Sequence, residues 1–277
     1  MADLPKLVSI VGLAIAPFAF LYLTFGLLER RFPAGALKSS HGWLFNIKLS
    51  LMYLAVPTLV GGLIAATIAA VRRINGHGLI NLNFSSETGI AGAIAATLLY
   101  LLVWDFFYYW WHRAQHGVEA LWAIHKLHHM DETLGVSTQM RVHWLEEIGR
   151  VPFIFIPMAL IFDLPMHSGF TAFALTGWSA FIHANIRISF GKASVVVGGP
   201  QVHRIHHSNL AEHFDRNFAA FFPFYDAIFG TYYPPRRGEY PSTGIPSDPE
   251  ISSIREGFLM PFPIWAALLK AQRGPAV

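Results

Sequence analysis

Residues 7–28 run for 22 positions without a charge, interrupted only by Pro17, and a helix of that length covers the roughly 30 Å of a bilayer's hydrocarbon core. The pattern recurs. Residues 49–71 form a second run, with Gly61 and Gly62 in the middle, where membrane helices accept glycine more readily than soluble ones. A third starts near Thr88 and continues through Trp111. Composition agrees: 53% of residues are hydrophobic and 13% charged, with a mean hydropathy of +0.41, whereas a soluble domain carries about 25% charged residues. That excludes disorder and coiled coil, and the net charge of +3 without a dense basic stripe excludes a nucleic-acid partner. Asp3 and Lys6 make a weak leader start and no small-residue cleavage site follows, so the first run reads as an anchor.

Nothing between Gly92 and Gly117 is Pro or Gly, so the third helix is expected to reach His116. At 1.5 Å per residue it would measure roughly 43 Å and stand clear of the bilayer at its end. The aromatic residues Trp104, Phe106, Phe107, Tyr108, Tyr109, Trp110 and Trp111 fit an interfacial belt there, and equally fit core packing. Residues 151–162 and 166–182, separated by Asp163 and Pro165, read as a hairpin that enters the membrane and returns. Residues 258–269 suit an interfacial helix. Arg30, Arg31, Lys38 and Lys48 follow the first run and 13 basic residues lie at or after Arg113, against Lys6, Arg72 and Arg73 on the other side. The positive-inside rule puts the N-terminus outside and the histidine-rich part in the cytoplasm.

There is no cysteine, which removes disulfides, thiolate ligands and cysteine nucleophiles. Of 14 histidines, 12 lie between His112 and His213. His112 and His116 share a helix face with Asp105 and Tyr109. His125, His128 and His129 form HKLHH, and His203, His206 and His207 form HRIHH. In a helix each triplet can turn its imidazoles to a common centre, and one such triplet arises by chance roughly once in thirty chains of this composition. His183, in FIHANI, and His143, in RVHWLEE, are further ligand candidates, the latter either as a tenth imidazole or as a hydrogen-bonding neighbour; His41, His77 and His167 have no motif around them. One ion takes three to five protein nitrogens, so nine or ten imidazoles imply two ions, with iron, zinc and copper all compatible. Asp105, Asp131, Glu146, Glu147 and Asp215 are the carboxylates available to orient rings and offset charge. HExxH, paired ExxH and GxSxG are absent, and a two-histidine haem would leave seven imidazoles idle. A metal transporter is the non-enzyme rival, but its ligands belong at the bilayer midplane.

WWHRAQHG, HKLHHMDE and PQVHRIHHS resemble the three histidine boxes of the fatty acid hydroxylase and sterol desaturase superfamily of integral-membrane di-iron oxygenases. STQMRVHWLE, FIHAN and DRNFAAFFPFYDAIFGTYYPP resemble its connecting and closing segments, so the likeness covers residues 104–235. It implies that His112, His116, His125, His128, His129, His183, His203, His206 and His207 ligate two iron ions, for which zinc could substitute on the same nitrogens. Asn185 would bind through a water. Asp105, Asp131, His143 and Asp215 would serve around the centre. Gly135 and Trp144 depart from what small bacterial relatives carry, Asn and Pro. The resemblance further implies dioxygen, a lipid substrate entering from the bilayer, and a separate electron donor, either cytochrome b5-like or a ferredoxin with its reductase, because no such domain is fused here. Hydroxylation of an unactivated C–H bond is favoured over desaturation, in a multi-pass protein of the bacterial inner membrane. The expected fold is all-α, with four or five membrane segments under a cytosolic helical cap. Its parts are a two-span region (1–87), a catalytic core (88–235) and a tail (236–277).

Overall fold

The computed structural model describes residues 4–82, 89–163, 168–248, 251 and 253–272. It is mostly helical. The first two apolar runs lie in single long helices, α1 (Leu4–Arg31) and α2 (Ser40–Asn75). Ser39 starts α2 by accepting the Gly42 N–H, and Gly76, at φ 75°, ends it by returning its N–H to Arg72. The third run forms α3 (Gly89–Gly117), 29 residues ending where expected. Among the described residues, α3 is the helix long and apolar enough to cross a membrane. Its first turns leave Ile90, Ile94 and Leu98 more than half exposed, as do Phe20, Leu23 and Leu27 on α1. Such an uncovered apolar girdle is a liability in water and a requirement in lipid.

After one extended residue, Val118, α4 (Glu119–His129) packs on α3. The two runs expected to form a hairpin lie in a wide π-type turn (Val151–Phe155) with α6 (Ile156–Ile161), preceded by α5 (Leu145–Arg150), and in α7 (Ser168–His183). Pro152, which has no N–H for the α ladder, sits in the wide turn. Pro165 and His167, like Thr88, lie outside the described residues. Directly after α6, β2 (Phe162–Asp163) pairs in parallel with β1 (Ile80–Asn81), and Arg72 bonds the Phe162 carbonyl and lies 2.9 Å from the Asp163 carboxylate. The start of the α2–α3 connection is therefore tied to the end of α6. At the other end, Pro33 after α1 bridges Ile186 after α7. All the histidine motifs are at this second end.

The remaining helices, α8 (Pro200–His206), α9 (Phe224–Ile228), α10 (Ile254–Leu259) and α11 (Pro261–Gln272), form the cap. The indole of Trp265 on α11 donates to Ala120 O at 2.8 Å, which docks the tail on α4. Beneath, Trp111, Ile124, Ile154, Met158 and Phe162 make the largest apolar core. Tyr109 and Trp111 are fully buried while Trp110 is 40% exposed, so packing accounts for two residues of the aromatic cluster and the surface for the third.

Candidate metal centre

Nine histidines converge in two groups. His112, His116, His125, His129 and His206 form one, and His128, His183, His203 and His207 the other; within each, one nitrogen per residue lies within 4.8 Å of every other. α3 supplies the first pair one turn apart, α4 and α8 supply the two triplets, and the end of α7 supplies His183. Both triplets split: the middle histidine of HKLHH joins the four-membered group, and the middle one of HRIHH the five-membered group.

The ring nitrogens facing outward are fixed. His112 Nδ1 donates to Phe218 O (2.7 Å), His128 Nδ1 to Arg141 O (3.3 Å), His183 Nδ1 to Ser179 O (2.7 Å) and His206 Nδ1 to Arg216 O (2.8 Å). His125 Nδ1 faces Glu146 Oε1 and His116 Nδ1 faces Asp215 Oδ1, each at 3.3 Å. A neutral imidazole that donates from Nδ1 has only a lone pair at Nε2. Yet His112 and His125 bring their Nε2 atoms to 3.1 Å, as do His128 and His183, and the His206 Nε2 is buried without a partner. Burial pushes the pKa values of His125, His128 and His206 well below the usual imidazole value, so protons do not fill these gaps. Lone pairs aimed at one another in a dry interior need a cation. Nitrogens about 2.1 Å from a shared ion fall roughly 3 Å apart, which is the spacing found here. The residues fit two ions, and an all-imidazole set suits iron, zinc or copper.

Of the carboxylates expected near the rings, two are in contact with them. Glu146 accepts from Gln115 Nε2 (3.0 Å) as well as facing His125; burial pushes its carboxyl up to about 7, against the pull of Arg150. Asp215 is mostly exposed and meets His116. Glu147 pairs with Arg150 instead. Asp105 touches no ring: its two oxygens accept the backbone N–H groups of Ala220, Phe221 and Phe222 at 2.7–3.0 Å. Asp226 does the same for Phe218 and Ala219, so two buried acids clamp the segment whose Phe218 carbonyl orients His112. Asp131 is held by Lys38, Asn46 and Thr138. Asn185 bonds Gly35, Ala36 and Arg204, which ties the α1–α2 link to α8. His143 stands in neither group, because its Nδ1 accepts the Leu145 N–H (3.2 Å) and its Nε2 donates to Phe258 O (3.0 Å).

Sequence reasoning missed Gln115, Asp226, Arg141 and the N-terminal Glu29, whose carboxylate accepts the Val136 and Asn185 N–H groups at 2.5 and 2.9 Å. Gln115 had a readable signal, since it sits three residues after His112 on the same helix. For Glu29 there was none, because its partners lie more than 100 residues away.

Residues 97–231 match the family model described as fatty acid hydroxylase. The human alkylglycerol monooxygenase is 32% identical over 128 residues, which is 46% of this chain and 28% of that protein. The ornithine lipid hydroxylase of Rhizobium tropici is 26% identical over 58% of this chain and 47% of its own length. A Delta(7)-sterol 5(6)-desaturase of Gibberella zeae is 30% identical over 50% and 38%. The chain thus spans less than half the length of these relatives, and no solved structure matches it. The matched segment contains most of α3 and all of α4, α7 and α8, hence all nine converging histidines, and this core matches the fatty acid hydroxylase domain shared with these lipid-modifying relatives.

Proposed function

We propose that the protein is a membrane-bound, dioxygen-dependent lipid hydroxylase with two iron ions, one in each histidine group. The facing Nε2 lone pairs carry this reading, because only cations relieve them. When bound, such a pair of ions supplies the oxidising power to convert an unactivated C–H bond and dioxygen, with two electrons and two protons, into an alcohol and water. The chain's own part is to hold and to exclude. The carbonyls of Phe218, Arg141, Ser179 and Arg216 set the tautomer and rotation of four rings. Glu146 and Asp215 place negative charge behind His125 and His116, offsetting the ions. Asp105 and Asp226 keep the segment 218–222 in place, and the Phe218 ring covers His112, His116 and His206 at centroid distances of 5.1–5.8 Å. That apolar cover excludes water beside the reactive centre.

The exposed apolar faces of α1 and α3 support insertion in a bilayer, with α1, α2, α3 and the hairpin as the membrane segments. The basic residues Arg30, Arg31 and Lys38 at the common end of these elements support a cytoplasmic active face in a bacterial inner membrane, where a separate reductant, cytochrome b5-like or ferredoxin, is at hand. The regions 1–87, 88–235 and 236–277 act as anchor, core and tail. The sterol desaturase among the relatives favours one alternative outcome on the same centre, removal of two hydrogens to give an alkene. Incubating membranes that contain the protein with a total lipid extract, a reducing system and labelled dioxygen decides it. Hydroxylation gives a product heavier by one labelled oxygen; an unlabelled product two hydrogens lighter is desaturation, and no product from any lipid refutes the proposal.

A further inference from the structure

One cavity, of about 210 Å³, has histidines from the five-membered group as its floor: His116, His129 and His206. It is large enough for a short stretch of a lipid and smaller than sites that hold a whole drug-sized ligand, about 300–1,000 Å³. Trp122, Phe214 and Ile245 give it apolar walls. Asp215 brings a carboxylate to its rim, and among the described residues no lysine or arginine lines it. Ser208 also borders it, but that hydroxyl accepts from Leu210 N and lies 2.9 Å from His213 Nδ1.

Two of the walls are held at a conformational cost. Asp215 and Asn217 have φ angles of 57° and 59°, a region L-residues rarely occupy, and Asn217 is fastened there by paired bonds to the Tyr233 backbone at 2.8 and 3.2 Å. Opposite, Gly244 has φ 106°, gives its N–H to His207 O, and would press a Cβ to 3.1 Å from Glu132. Thr243 fixes the same stretch by accepting the Leu134 N–H and donating to Glu132 O. Residues 243–246 lie beyond the segment that matches the family model, so this wall is contributed by the tail.

We propose that this cavity receives the reacting end of the substrate, an apolar stretch bearing a hydroxyl or amine donor that Asp215 accepts, and that Phe214 and Ile245 determine what fits. The assignment rests on the metal-centre reading above. A free carboxylate or phosphate end is disfavoured at the rim, because it would face Asp215 with no lysine or arginine beside it.

The absence of native cysteine makes the test direct. Phe214→Cys, Ile245→Cys and, on an exposed remote turn, Lys192→Cys are folded and loaded with iron; azide association is then followed by absorbance before and after alkylation with a bulky maleimide, with iron measured in each sample. Alkylation at 214 or 245 should slow azide at least tenfold with iron retained, and alkylation at 192 should not. If one cysteine variant loads poorly, the other carries the comparison. In the unmodified protein a long-chain alcohol should compete with azide at least tenfold more strongly than the fatty acid of equal length, and Asp215→Asn should narrow that ratio. Unchanged azide rates after full alkylation with iron in place, or equal competition by acid and alcohol, overturn the proposal alone. A chain that takes up no iron overturns the metal centre and this assignment with it.

Discussion

Replacing Asp105 by Ala strips three backbone N–H groups of their acceptor at once, those of Ala220 and Phe221 buried and that of Phe222 half-buried. A buried donor left unmatched costs about 1–3 kcal/mol, and some of that is recovered by relaxation, so a loss of about 3–6 kcal/mol is expected. For a chain of this size each kcal/mol is worth about 2–4 °C, which puts the fall in Tm at no less than about 6 °C. The damage should also reach the metals, because Phe218, whose carbonyl orients His112, lies two residues before the clamped N–H groups. Asp105→Asn keeps one accepting oxygen and should fall between Ala and wild type. Thermal unfolding of detergent-purified protein, followed by the loss of its monodisperse chromatographic peak, measures the shift, and metal analysis of the same samples measures the second effect. A Tm within about 2 °C of wild type for Asp105→Ala, with full metal content, would refute the clamp and return Asp105 to the ring-orienting role that its sequence position suggested.

Gly149→Ala should be poorly tolerated, since a Cβ there would lie 2.3 Å from the fully buried Trp111 ring; a lower Tm by several degrees in the same assay checks this. Glu29→Ala should cost about 2–4 kcal/mol by orphaning the Val136 and Asn185 N–H groups, and unchanged unfolding would show that the α1 end is independent of the core. His206→Ala should lower metal content and abolish product formation, whereas His77→Ala, whose ring bonds the adjacent Gly78 carbonyl and stands in neither histidine group, should do neither; equal metal in both variants would remove His206 from the centre.

The histidine motifs were legible because a helix places i, i+3 and i+4 on one side, so spacing alone announces a shared target. How the triplets divide was not: His128 and His206 leave their own neighbours for the opposite group because of how α4, α7 and α8 meet. The acids divide in the same way. Asp105 is on the face of His112 and looked like its partner, yet it reaches the 220–222 backbone, while Glu146, 21 residues from His125, reaches the ring. Helix periodicity fixes which side a residue faces, but not what tertiary packing puts there. The helices α6 and α7 were readable from length and hydropathy, whereas the β1–β2 pairing after α6, two residues per strand, leaves no periodic trace. His143 carried a motif and no ligand geometry, since both its nitrogens serve the backbone.

The central claim is that two sets of mutually facing imidazole lone pairs are completed by two metal ions, and metal analysis of the purified chain against its own concentration tests it most directly. Two ions per chain are predicted, iron or zinc according to the growth medium. Deletion of one ligand from either group, His206→Ala or His183→Ala, should bring the content toward one. One ion or none per wild-type chain, with all nine histidines intact and the protein folded, would contradict the account.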